Sequence, residues 1–302
     1  MVTITKVPYG GWPNCYRIAN ETWELILTSD IGPRVIRCGF LGGQNMFKEF
    51  TEQMGKSGES TWQIRGGHRL WIGPEALHYT YGLDNNPIKV EVSGDVITAT
   101  QPTEPETGIE KQLIIEMHPT EAKAKMTHRF TNRNRLAVEI APWSPSVMAP
   151  GGVGITGFPP RGTHPEMLAP TNPLVMWAYT DWSDPRWIFM KKYLALRQDP
   201  NATTPQKTGL FNENTFGAYL LGTDLFLKQY KADPTKTYPE YSCSFQTFTN
   251  QDFLELETFG PMTKLEFNES TDLIENWSLS PNIQVPTWAD AILEAALQPL
   301  LK

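Results

Sequence analysis

Within the run WQIRGGHRLWIGPE, an imidazole (His68), a guanidinium (Arg69) and an indole (Trp71) follow Gly66 and Gly67 and precede the carboxylate of Glu75. Glycines let a backbone pass close to another chain or to a ligand. An indole offers a flat apolar face to the C–H side of a sugar, a guanidinium a fork of donors for hydroxyls, and an imidazole a proton donor or acceptor near neutral pH. These residue types suit a polyhydroxylated ring. They also allow a plain structural reading, with Arg69 paired to Glu75, Trp71 in the core and His68 satisfied in a turn.

A second candidate lies far along the chain, in FLELETFGP. Glu255 and Glu257 share one face of a strand with Phe253, while Leu254 and Leu256 share the other. The leucines should point between sheets, leaving both carboxylates on the opposite surface. There a carboxylate beside aromatics has its pKa raised and can act as a general base; a plainly solvated acidic strand is the competing reading. WAYTDWSDPRW, residues 177–187, places Trp177, Tyr179, Trp182, Arg186 and Trp187 in a loop that either contacts carbohydrate or folds on its own aromatic core. His128 reads as a hydrogen-bonded core residue. His78, His118 and His164 show no HxH or HExxH spacing, so no zinc site is expected. No GxSxG elbow, P-loop or strand-borne GxGxxG occurs, which removes the common hydrolase, kinase and dinucleotide readings.

Strands must position these groups. IKVEVSGDVITAT, residues 88–100, alternates apolar and polar residues on both sides of Ser93-Gly94-Asp95, which predicts a hairpin. Ile109, Leu113, Ile115 and Met117 then share a face, Pro119-Thr120-Glu121 turns the chain, and Ala124, Met126, His128 and Phe130 share the returning face. Residues 216–230 and 242–259 repeat the device around Gly222-Thr223-Asp224 and Asn250-Gln251-Asp252. Only the C-terminus reads as helix, with Thr287 as cap, Asp290 in the first turn and Ile292, Leu293, Ala296, Leu297, Leu300 and Leu301 at helical spacing. The 25 prolines and 23 glycines fall mostly between the strands, as long loops require. The whole, residues 1–302, reads as one all-β antiparallel domain with a short C-terminal helix.

Composition narrows the partners. A hydrophobic fraction of 40% and a charged fraction of 20% are those of a globular chain. The net charge of -7 has no like-charge run, so no nucleic-acid partner is expected. No apolar run approaches the roughly 20 residues that span a bilayer, and MVTITKVPYGG lacks the apolar middle of a signal peptide. The expectation is a cytoplasmic protein without membrane contact. Cys15, Cys38 and Cys243 are odd in number and far apart, and read as buried thiols.

In DIGPRVIRCGF (30–40), GGHRLWIGPE (66–75), APWSPSVMAPGG (141–152), LELETFGP (254–261) and ENWSLSP (275–281), in that order, the chain resembles the aldose 1-epimerase, or galactose mutarotase-like, superfamily. The resemblance implies a β-supersandwich that binds a sugar in a groove of one sheet. In that family a glutamate in a late LET context acts as base on the anomeric hydroxyl and a histidine as acid at the ring oxygen. Glu257 fits the base, and His68 resembles the earlier of two family histidines, which helps bind the sugar. Where the later histidine belongs, this chain reads APWSPS, with Trp143 and Ser144 and no imidazole.

The expected function is therefore aldose 1-epimerase-like, on a free sugar or sugar derivative, without metal or organic cofactor. Glu257 would be base and His68 acid or donor to the ring oxygen. Arg69 and Trp71 would position the ring, Glu75 and Trp143 would line the groove, and Arg34 and Lys228 would be either substrate contacts or structural ion-pair residues. A sugar-phosphate epimerase, in which Arg69, Arg34 and Lys228 converge on the phosphate, stays open. So do a non-catalytic glycan-binding protein and a polysaccharide lyase or hydrolase.

Overall fold

Alternation at period two runs through most of the chain, and the computed structural model, which describes residues 1–301, shows what it builds: two antiparallel sheets packed face to face. One sheet runs, edge to edge, through Trp187–Phe189, Tyr193–Arg197, Val153–Gly157, Asn214–Leu221, Asp224–Lys231, Ser270–Ser280, Lys123–Asn132, Ile109–Met117, Val96–Thr100 and Lys89–Ser93. Its hairpins are those the alternation predicts, with Ser93 opposite Val96, Ala124 opposite Met117 and Leu221 opposite Asp224. We call it the hairpin sheet.

The other sheet gathers distant segments. Its order is Thr3–Tyr9, Trp12–Ala19, Trp23–Thr28, Arg34–Phe40, Gly67–His68, Val138–Met148, Leu254–Phe259, Phe245–Thr249, Gln206–Leu210 and Leu174–Met176, with Trp71–Gly73 and Thr263–Leu265 also paired to Val138–Met148. This mosaic sheet carries the candidate groups.

Leu254 and Leu256 do point between the sheets, in one apolar core with Leu113, Ile115, Met126 and Trp277. Phe47 from the mosaic side meets Phe226 and Trp277 edge-on at centroid distances of 5.4 and 5.7 Å. Such pairs add about 0.5–1.5 kcal/mol each beyond the area they bury. The three cysteines are free and buried. No helix among the described residues is long and apolar enough to cross a membrane.

The C-terminal helix spans Asp290–Leu297 and lies on the outer face of the hairpin sheet, with Leu293 and Leu297 against Ala218, Leu225 and Leu227. Its cap differs from the expectation. Ala289, not Thr287, is the N-cap and makes no side-chain bond, while Asp290 accepts the backbone N–H groups of Lys191 and Lys192 at 3.0 and 2.7 Å. A contact to a neighbouring loop replaces the local cap.

Gly66 and Gly67 are needed where they stand. Both have positive φ, 92° and 70°, and a Cβ on Gly66 would lie 1.9 Å from the Lys48 carbonyl oxygen. Gly66→Ala is expected to cost about 1–3 kcal/mol through strain and backbone clash. A urea midpoint indistinguishable from wild type would contradict this.

Candidate active site

The segment from Gly67 to Gly73 pairs with Val138–Met148 in one unbroken register: His68 faces Ser146, and Trp71 faces Trp143. Strand pairing lapses between them at Pro145, which has no N–H to give, although its carbonyl accepts from Arg69 N–H at 3.1 Å. Side chains along this stretch therefore alternate. His68, Leu70 and Ile72 point between the sheets; Arg69 and Trp71 point outward.

Register carries the outward row across the mosaic sheet. Trp143 lies opposite Phe259, Pro145 opposite Glu257, Val147 opposite Glu255; Glu257 in turn lies opposite Gln246, and Glu255 opposite Phe248. Phe248 faces Lys207. One face of five neighbouring segments thus presents Arg69, Trp71, Trp143, Glu257, Glu255, Gln246, Phe248 and Lys207. Over it stand Trp62, Glu75 and Tyr81 on one side and Trp177 and Tyr179 on the other. Glu75 and Tyr179 are exposed, whereas Glu257, Lys207, Arg69 and Trp143 are buried beneath them.

The charges are interleaved. Lys207 Nζ lies 3.2 Å from Glu257 Oε2 and 3.6 Å from Glu75 Oε2. Arg69 Nη2 lies 3.0 Å from Glu255 Oε1, with its guanidinium 4.1 Å from the Trp71 ring centroid and 5.5 Å from that of Trp62. Tyr81 donates to Glu75 at 2.6 Å. Burial pushes Glu257 up to about 7; Lys207 opposes that shift, and the carboxylates of Glu255 and Glu75 add to it. For Lys207, burial works to lower the pKa, but Glu257, Glu75 and Glu255 together outweigh it and hold the ammonium above its ordinary value.

Several buried polar atoms on this face have no protein partner: Glu257 Oε1, Arg69 Nε and Nη1, Trp143 Nε1, and both ends of the Gln246 amide. Unpaired buried groups cost roughly 1–3 kcal/mol each and are rare in native proteins. Here they cluster, as donors and acceptors together, among aromatic faces. Donors and acceptors arranged in this way can hydrogen-bond a ligand carrying hydroxyls. An open hollow of about 860 Å³ lies on the outer face of the hairpin sheet beside the C-terminal helix, lined by Phe158, Arg161, Tyr193 and Gln229 among others. None of its lining side chains leaves a buried polar atom unpaired, so the chemistry points to the mosaic face instead.

Five expected site residues, Glu257, Arg69, Trp71, Glu75 and Trp143, meet on this face. Three do not. His68 is fully buried on the opposite side of the sheet, against Trp277 at a ring distance of 4.7 Å. Lys228 is also between the sheets, bonded to the Ser144 carbonyl at 2.6 Å and paired with Glu275 at 3.1 Å. Arg34 is sealed, pairing with Asp84 at 2.6 Å and donating to the carbonyls of Ile64 and Gly66 at 2.9 and 2.6 Å; it holds up the loop that leads into Gly66. Period-two alternation is the reason His68 parts from Arg69 and Trp71: adjacent strand residues cannot share a face.

His68 instead belongs to an interior polar network with His128, Glu275, Lys228, Ser144, Ser146 and Thr258. His128 Nδ1 lies 2.9 Å from the Leu273 carbonyl, an acceptor, so it carries the proton and leaves Nε2 as acceptor. His68 Nε2–H then donates to His128 Nε2 at 2.6 Å, and His68 Nδ1 accepts from Ser146 at 2.8 Å. The ligating atoms of His68, His128 and Glu275 lie within 4.8 Å of one another, close enough to suggest a metal. Every one of them is already engaged, Glu275 by Ser144, Thr258, Lys228 and Trp277. The set fits a hydrogen-bond network in which the nitrogens of both imidazoles are already committed.

Lys207 and Tyr81 carry no signal in the sequence. PQKTGL offers a single lysine on a short strand with no pattern around it. The aromatic loop divides between its two readings: Trp182 packs on Trp187 and Phe189 at 5.1 and 5.3 Å, while the Trp177 ring lies 5.0 Å from Lys207 Nζ at the groove.

No protein-family model matches the chain. No curated protein is similar to it at a significant level. Solved structures are. A candidate aldose 1-epimerase of Klebsiella pneumoniae aligns over 97% of this chain and 85% of its own at a TM-score of 0.61 and 13% identity. The Slr1438 protein of Synechocystis covers 93% of this chain and all 100% of its own at 0.58 and 12%. A galactose mutarotase-like protein of Lactobacillus casei covers 88% and 100% at 0.56 and 11%. At such identities the likeness is one of fold, and the fold is the galactose mutarotase-like supersandwich that the resemblance implied.

Proposed function

We propose that the outward face of the mosaic sheet binds an aldose-type sugar and interconverts its anomers, with Glu257 as general base. The observation that supports this reading above the others is the state of Glu257 itself. It is buried, and burial pushes its pKa up, to about 7, against the opposing charge of Lys207. One oxygen is held by Lys207 and the other is left free among the aromatic rings of the groove. A base with a pKa near the working pH combines a large ionised fraction with useful proton affinity. The free oxygen would take the proton of the anomeric hydroxyl as the bond from C1 to the ring oxygen opens. Arg69 Nε and Nη1 and the Trp143 N–H would donate to ring hydroxyls, and the indoles of Trp71 and Trp143 would lie against C–H faces.

A phosphate finds little here. Arg34 and Lys228 are committed elsewhere, Arg69 is paired with Glu255, and Lys207 is shared between Glu257 and Glu75. The glycan-binding alternative draws support from one fact, that neither His68 nor His128 reaches the groove.

Polarimetry on freshly dissolved anomers of common aldoses separates the two readings. The enzyme reading expects relaxation to be accelerated in proportion to protein concentration. Saturable sugar binding without acceleration would establish the binding protein.

A further inference from the structure

Anomer interconversion needs a proton at the ring oxygen at the moment another leaves O1, and no core histidine can supply it. Lys207 stands in the required place. It reaches outward from Gln206–Leu210, its Nζ 3.2 Å from Glu257 Oε2 and 5.2 and 5.0 Å from the ring centroids of Trp143 and Trp177. An ammonium has three donors, and the protein gives this one a single hydrogen bond, to Glu257, with Glu75 Oε2 farther off at 3.6 Å. We propose that Lys207 is the catalytic acid, delivering a proton to the ring oxygen while Glu257 takes the one on O1. This rests on the function proposed above and names the group that stands in for the absent histidine.

The step balances within the site. The O1–H proton passes to Glu257, its electrons form the C1=O1 double bond, and the C1–O5 pair collapses onto O5, which takes a proton from Nζ. The sugar is then an open-chain aldehyde beside a neutral acid and a neutral amine. After rotation about C1–C2 the steps reverse on the other face of C1, and both protons return.

The pair is arranged to make this exchange concerted. Burial alone would make Lys207 readily acidic, and the negative charge of Glu257 is the first among the influences that prevent it; Glu75, Glu255 and Tyr179 also face the ammonium. Once Glu257 accepts a proton its share of that restraint is gone, so Lys207 becomes a better acid when the ring oxygen needs one. Arg69 cannot play this part, because a guanidinium does not release its proton. Tyr179 can, and is the control.

The test measures anomer interconversion and sugar affinity for wild type, Lys207→Met, Lys207→Arg, Lys207→Ala and Tyr179→Phe, with folding checked by circular dichroism. Lys207→Met is expected to lose about 10²- to 10⁴-fold in turnover. Lys207→Arg keeps the charge but holds its proton, so it should lose turnover comparably while binding sugar within a few-fold of wild type. Methylammonium added to Lys207→Ala should restore turnover in a saturable way, which a structural lysine would not show. Lys207→Met or Lys207→Arg turning over within tenfold of wild type, or Tyr179→Phe taking the loss instead, overturns the assignment of Lys207 alone. A wild-type protein that binds sugar without accelerating interconversion overturns the proposed function and this assignment with it.

Discussion

Glu257→Gln is expected to slow anomer interconversion by about 10²- to 10⁴-fold, the usual worth of a placed general base, with sugar affinity little changed. The amide keeps the size of the side chain and can still accept from Lys207, but it cannot take a proton from O1. In the wild type, a base pushed up to about 7 should make kcat/KM fall about tenfold per pH unit below that value and level off above it. Stability moves the other way. Because the folded state holds the Glu257 proton more tightly than the unfolded chain, this group's contribution is complete below its unfolded pKa of about 4.3 and is lost as pH rises through 7. Glu257→Gln should thus be no less stable than wild type at pH 8. Retention of a tenth or more of wild-type turnover by this variant, measured by polarimetry at pH 8, would remove Glu257 from the chemistry.

Glu275→Leu carries the largest expected loss of stability. Its carboxylate is fully buried between the sheets, held by Lys228, Ser144, Thr258 and the Trp277 N–H at 2.7 Å. Burial works against the charge, but Lys228, His128 and the two hydroxyls outweigh it and lower the pKa to about 2. Removing it strands a buried ammonium, a change that costs about 3–5 kcal/mol. A fall in Tm of about 5–8 °C follows for a chain of this size. The double variant with Lys228→Met removes the stranded charge and should recover much of the loss.

The same network is expected to make the fold acid-labile. His68 and His128 are held neutral, first by burial, and for His68 also by the other imidazole and Lys228. Their contribution is present above the unfolded value of about 6.5 and is lost as pH falls below it, because the unfolded chain then binds more protons. Glu275 adds a further loss from about 4.3 down towards 2. A Tm unchanged between pH 7 and 5, or a Glu275→Leu midpoint within a degree of wild type, would show that this network is not what holds the sheets together.

Much of the fold lay open in the residues. Within the hairpin sheet, residues 89–132 and 214–231 pair strands that follow one another in sequence, so their turns and faces could be read from alternation around Gly94, Pro119 and Gly222; that Ser270–Ser280 would lie between them could not. The separation of His68 from Arg69 and Trp71 was legible too. Residues 68, 70 and 72 alternate against 69 and 71, and once Leu70 and Ile72 are taken as core, His68 must go with them. That parity forbids a single projecting cluster of all three.

The mosaic sheet is another matter. Lys207 meets a carboxylate 50 residues away in sequence, and Arg69 one 186 residues away. No local pattern encodes which distant strand lies alongside which.

What the sequence determined by itself is the set of faces: period-two alternation sent Glu255 and Glu257 to the side opposite Leu254 and Leu256, and made an antiparallel all-β chain the outcome. What only the tertiary structure decided is what those faces meet. Whether an outward glutamate is solvated or buried depends on the loops that close over it and on the charges set beside it. Burial beneath Tyr179 and Trp177 pushes the Glu257 carboxyl up towards neutral pH, and Lys207 at 3.2 Å pulls it back. Desolvation and Coulomb attraction act through space, and that distance exists only once the strands have paired.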